Sequence, residues 1–190
     1  MSSHGNLFEN ERLPDSEILG IGGDGLQVEL IRNLTDLDSQ YLMEISRNSV
    51  SEFGNPVIIE PGNFRKHFNY PRTFPFISRY QGKPVAAIIG VPLEQFNKES
   101  WVKYDINWGA ENTVYTSLFI VHPQHRKPNI TQTILKLYMS WIKKQSYRYI
   151  TGHKRSSIDI LFDKTPDIIK KFENWQNSKN TFDYFRITLI

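Results

Sequence analysis

The chain has 190 residues, of which 39% are hydrophobic and 13% aromatic, a length and composition that suit one folded domain with a sizeable core and exclude a disordered chain. It has no cysteine, which removes disulfides, thiolate metal sites and thiol nucleophiles. Its 23 basic and 20 acidic residues leave a formal charge of +3, a bias that suits an anionic ligand but lacks the dense clustering of a nucleic-acid surface.

Residues 1–24 are polar, end in a glycine-rich run, and read as a flexible arm ahead of a single domain at 25–190. They hold no apolar core of signal-peptide length. No run in the chain reaches the roughly 20 apolar residues that span a bilayer, so a soluble, cytoplasmic protein with no membrane partner is expected. The glycines lack the Lys-Ser/Thr of a phosphate-cradling loop, and a strand pattern follows them instead of a helix.

Leu26, Val28 and Leu30 alternate with Gln27 and Glu29, as in a strand with one buried face. Thr35 or Asp36 can cap a helix to about Phe53, with Leu37, Tyr41, Leu42 and Ile45 on its apolar side. Residues 54–75 hold too many prolines and glycines for a long element, although Asn63 to Phe68 suits a helical turn. Phe76–Tyr80 and Pro84–Val91, around Gln81-Gly82-Lys83, read as a hairpin.

The polar stretch 94–112 carries Phe96, Trp101, Tyr104 and Trp108 with the acids Glu99, Asp105 and Glu111. It either lines an acceptor pocket or packs its aromatics back over the core. Thr113–Val121 is rich in β-branched and aromatic residues and reads as a strand. Ile130, Ile134, Leu137, Tyr138, Trp141 and Ile142 then recur at helical spacing over 130–145. Tyr147–Thr151 reads as a strand, and Ser157–Phe162 fits strand or helix. Thr165-Pro166-Asp167 opens a predicted helix with Ile168, Ile169, Phe172 and Trp175 as its buried stripe. Phe182–Ile190 closes the chain as a strand.

A strand feeding into a helix start at 113–131 leaves backbone amides without partners in a field of partial positive charge, a corner that favours phosphate. His122 and His125 flank this corner, but two imidazoles without a neighbouring carboxylate fall short of a metal set.

The order of elements, together with Val121, Pro123, Arg126, Asn129, Ile130 and Thr131 at the strand-to-helix turn, resembles the GNAT acyltransferase superfamily over residues 26–190. The resemblance implies an α/β (α+β) fold with a mixed, mostly antiparallel central sheet flanked by helices, and a V-shaped opening near Val121 and Tyr149. It implies an acyl-coenzyme A co-substrate, most simply acetyl-CoA, held by backbone groups of Phe119, Ile120 and Val121 and by Arg126, Lys127, Asn129, Ile130 and Thr131. The motif is degenerate: Asn129 and Thr131 replace glycines that let the backbone approach phosphate, and Pro128 has no N–H to donate. Asn129 with Gln132 still makes an approximate capping pair.

The family's tyrosine acid corresponds to Phe172, which cannot donate, so Tyr115, Ser117 and His153 are the catalytic candidates in its place. The implied activity is N-acyl transfer to an amine-bearing small molecule or peptide. The alternative is a catalytically inactive GNAT-like binding or interaction module.

Overall fold

The computed structural model describes residues 15–22, 25–48, 68, 72–126, 128–158, 162 and 164–189. Its strands are β1 (Asp15–Ile21), β2 (Leu26–Asn33), β3 (Phe74–Tyr80), β4 (Lys83–Pro92), β5 (Thr113–Val121), β6 (Tyr149–Arg155), β7 (Asp167–Phe172) and β8 (Phe182–Thr188). They form one eight-stranded sheet in the order β1-β2-β3-β4-β5-β6-β8-β7. Every neighbouring pair is antiparallel except β5 with β6. The helices α1 (Asp36–Asn48) and α2 (Pro128–Lys144) lie on opposite faces. This is the mixed, mostly antiparallel α/β fold read from the sequence.

Thr35 starts α1, its hydroxyl oxygen accepting from the Asp38 amide at 3.1 Å. Leu42 and Ile45 pack on Ile77, Ile89 and Ile120, whereas Leu37 is exposed, because the stripe that meets the sheet is narrower than its apolar spacing suggests. On the other face Ile134, Leu135, Tyr138 and Ile142 of α2 pack on Val28, Phe76, Ile88, Val114 and Val121. Pro128 heads α2, where its missing N–H costs nothing. The expected extension of α1 over 49–53 and the turn at 63–67 lie outside the described residues, as does the centre of the 157–162 segment.

Three readings are corrected. Residues 15–21, assigned to the arm, form β1 paired with β2. Their hydrophobic signal is weak because this is an edge strand, with Leu19 packed on the core while Ile18 and Ile21 face outward. Residues 167–172, expected as a helix, form β7 against β8 with an irregularity between Ile168 and Lys170. The spacing of Ile168, Ile169 and Phe172 fits either element, and pairing along β8 overrides local preference. The strand expected at 147–151 runs instead from Tyr149 to Arg155, so His153 lies within it. Gly152 and three polar residues hide that continuation from a hydrophobicity pattern.

Candidate active site

The strand β5 is irregular on both sides at the same place. Toward β4 the register passes from Ile89↔Leu118 to Gly90↔Thr116, leaving Ser117 without a partner, a β-bulge. Toward β6 the parallel pairing runs from Thr113↔Tyr149 to Thr116↔Gly152 and stops. Beyond that row no β6 residue pairs with Ser117, Leu118, Phe119, Ile120 or Val121. The two strands therefore part at an apex flanked by Ser117 and His153. The expected V is present with Val121 on one arm, but its other arm is His153–Arg155, since Tyr149 sits at the closed end opposite Thr113.

The bulge also breaks the alternation that put Tyr115 and Ser117 on one face. Val114 and Val121 share the core under α2, although strict alternation would separate them. The Ser117 hydroxyl donates to the Ile89 carbonyl at 3.3 Å. On the face away from α2, Tyr115 reaches to the apex and meets Nδ1 of His153 at 2.9 Å. Burial, with a smaller push from the Glu99 carboxylate, holds the Tyr115 phenol above its ordinary range. The phenol stays protonated and donates. Burial alone pushes His153 down from 6.5 to about 3, so its imidazole is neutral, with Nδ1 accepting and Nε2 carrying the proton.

Nε2 is buried and has no hydrogen-bond partner among the described residues. The ring stacks on Trp175 at 3.8 Å and 16°, and meets Trp101 at 5.1 Å and 87°. Phe96 and Trp101 cover Tyr115 at 4.7 and 4.8 Å. Within the 94–112 stretch Phe96, Trp101 and Val102 pack back over the core, whereas Tyr104 and Trp108 are exposed. Its turn is tied down by Asp105, whose carboxylate accepts from the Tyr184 hydroxyl and from Arg186, each at 2.7 Å. Phe172 also packs on His153, at 5.3 Å, but from β7 and not from a helix.

At the far end of β5, Arg126 turns back so that its Nε donates to the Val121 carbonyl at 3.1 Å. Asn129, Ile130 and Thr131 stand in the first turn of α2, just beyond the end of β5. Ile130 itself is buried against Leu26 and Val85, which fixes this helix end to the sheet. Lys127 and the side chain of Asn129 lie outside the described residues. The structure thus brings Tyr115, Ser117 and His153 to the apex and sets Phe119, Ile120 and Val121 on the open arm. Arg126, Ile130 and Thr131 follow the end of that arm.

Sequence reasoning gave Gly90, Thr116, Gly152 and Tyr138 no place at the apex. Gly90↔Thr116↔Gly152 is a row across β4, β5 and β6 at the last paired position. A Cβ on Gly90 would lie 2.7 Å from the Tyr138 hydroxyl. That hydroxyl meets Thr116 Oγ1 at 3.1 Å.

An eight-stranded sheet parted at a bulged central strand, with a helix starting where that strand ends, defines the GNAT fold, and this chain has it. Solved structures it is similar to include N-acetyltransferases. The ribosomal-protein alanine N-acetyltransferase of Escherichia coli matches with a TM-score of 0.63 at 12% identity, over 86% of this chain and 94% of that one. Ard1 of Thermoplasma volcanium matches at 0.63 and 12%, over 87% and 99%. An aminoglycoside 6'-N-acetyltransferase complexed with coenzyme A matches at 0.60 and 12%, over 86% and 97%. No family model and no curated protein matches the sequence.

Proposed function

We propose that this chain is an N-acyltransferase that moves an acyl group, most simply acetyl, from acyl-coenzyme A to an amine. The observation that carries this reading is the parting of β5 and β6 at the Ser117 bulge, ahead of the first turn of α2. An open parallel pair presents main-chain donors and acceptors that need partners, and the amides of a pantetheine arm supply them along Phe119, Ile120 and Val121. The pyrophosphate then meets the amides of Asn129, Ile130 and Thr131, with Lys127 and Arg126 adding charge. Acetyl-CoA fits this part of the molecule despite the missing glycines, because it asks for backbone groups and not for particular side chains.

The acyl carbon comes to the apex, where the amine attacks it. Ser117, Tyr115 and His153 border that point and are the polar groups we assign to it. A neutral His153 is a weak base, so the imidazole orients through its hydrogen bond from Tyr115 and the amine's surplus proton leaves to water. The neighbours' names include an aminoglycoside and a protein alanine as acceptors, which supports a small-molecule or peptide amine here. A cytoplasmic setting goes with this reading, and among the described residues no helix is long and apolar enough to cross a membrane.

One observation favours the second reading, a GNAT-like module without catalysis: Nε2 of His153 is shut in by aromatic rings. Calorimetry with acetyl-CoA, followed by thiol release in the presence of polyamines, amino acids and peptide N-termini, separates the two. Binding with thiol release supports the enzyme, binding without release supports the module, and no binding removes both coenzyme A readings.

A further inference from the structure

The row Gly90↔Thr116↔Gly152 places a threonine between two glycines at the position where β5 and β6 part. Thr116 therefore has no side chain beside it on either neighbouring strand. The space over Gly90 is taken by the Tyr138 hydroxyl, and the space over Gly152 by the Phe185 ring, whose atoms lie 3.1 and 3.2 Å from where a Cβ would stand. Tyr138 is buried, and its hydroxyl has Thr116 Oγ1 as its polar partner at 3.1 Å. Burial keeps this phenol protonated well above its ordinary range, with the Thr116 contact opposing. Either oxygen can donate across this contact, and with Tyr138 as donor its buried O–H finds the acceptor it needs in Thr116 Oγ1. With the Tyr138 O–H as donor, the proton of the half-buried Thr116 hydroxyl is left for another acceptor.

We infer that Thr116, oriented by Tyr138 from α2, donates a hydrogen bond to the coenzyme A sulfur as the thiolate departs. This rests on the acyl-coenzyme A reading above and adds to it the group that serves the leaving sulfur. As the amine nitrogen bonds to the acyl carbon, the C–S bond breaks and its electron pair settles on sulfur. The Thr116 hydroxyl stabilises that charge without giving up its proton, since an aliphatic alcohol is a far weaker acid than a thiol. The amine's proton goes to water, and the thiolate takes a proton from water on release. The Tyr138-to-Thr116 bond polarises the threonine hydroxyl and strengthens its donation.

The test needs no acceptor: the thiol of coenzyme A bound to the protein is titrated by the ultraviolet absorbance of its thiolate. A donated hydrogen bond lowers that thiol pKa, and its loss raises it by about one unit. Thr116→Val is expected to raise it by that amount, Thr116→Ser to restore the wild-type value, and Tyr138→Phe to raise it by a smaller step. Should Thr116→Val not fold, Tyr138→Phe carries the test. Where calorimetry shows the wild type binding coenzyme A, equal thiol pKa values in wild type and variants overturn this inference alone. If the wild type binds no coenzyme A, the acyl-transfer reading falls and this inference with it.

Discussion

The Tyr115 hydroxyl donates to Nδ1 of His153 at 2.9 Å, and the opposite ring nitrogen is buried without a partner among the described residues. The fold thus holds this histidine neutral. The unfolded chain takes up a proton near pH 6.5 that the folded chain refuses until about pH 3. The stability that goes with the neutral ring is fully present above pH 6.5 and is lost as pH falls from there toward 3, by about 1.4 kcal/mol per pH unit. His153→Gln keeps an acceptor for Tyr115 but cannot be protonated, so its unfolding free energy should fall less steeply over that window. Urea unfolding between pH 7 and pH 4 measures the difference, and parallel slopes in the two proteins would contradict it.

Trp175 covers the His153 ring in a near-parallel stack at 3.8 Å. The desolvation that depresses the imidazole should depend on that cover. Trp175→Ala is expected to admit water and raise the His153 pKa by at least about one unit toward its ordinary value. The imidazole proton shifts in an NMR titration read this directly. An unchanged titration would mean that Trp101, Phe172 and Tyr184 suffice to bury the ring.

The central elements were legible because their residues carry both period and type. Thr113–Val121 is a strand with the bounds the sequence suggests, and Ile134, Tyr138 and Ile142 do face the sheet. What escaped was set by register. Gly90, Thr116 and Gly152 are far apart in sequence and meet only through sheet pairing. The Ser117 bulge inverts the facing of residues after it, which no alternation rule applied to one strand anticipates. β7 was misread because a short apolar pattern serves helix and strand alike until its partner β8 is known. Placing Phe172 on a strand also takes it out of the helix in which the resemblance puts the tyrosine acid.

Arg79 joins α1 to the sheet. Its guanidinium donates to both Asp38 oxygens at 2.7 and 2.8 Å and to Glu29 at 3.0 Å, and all three residues are buried. Arg79→Ala strands two carboxylates in a dry interface and should cost about 3–5 kcal/mol. Arg79→Lys keeps the charge but loses the planar fork, so an intermediate loss is expected. Denaturant unfolding measures both. A loss under about 1 kcal/mol for Arg79→Ala would show that water reaches these carboxylates.

Arg126 and Lys127 stand where the acyl-transfer reading puts the pyrophosphate, just before α2 begins. The Nε of Arg126 is committed to the Val121 carbonyl, which steers the rest of its guanidinium at the end of the open β5 arm. Each charge-assisted hydrogen bond to phosphate contributes on the order of 1.5–3 kcal/mol. Reversing both charges in Arg126→Glu/Lys127→Glu should therefore weaken coenzyme A binding by more than about tenfold. Binding by the wild type should also weaken with added salt, because salt screens the attraction between these cations and the phosphates. The double variant should lose most of that dependence. Dephospho and adenosine-only fragments, compared by calorimetry, locate the loss: a pyrophosphate contact penalises every fragment that retains the diphosphate and leaves adenosine unaffected. Unchanged coenzyme A affinity in a folded double variant would place the pyrophosphate away from this turn, leaving the α2 amides without the side-chain charge assigned to them here.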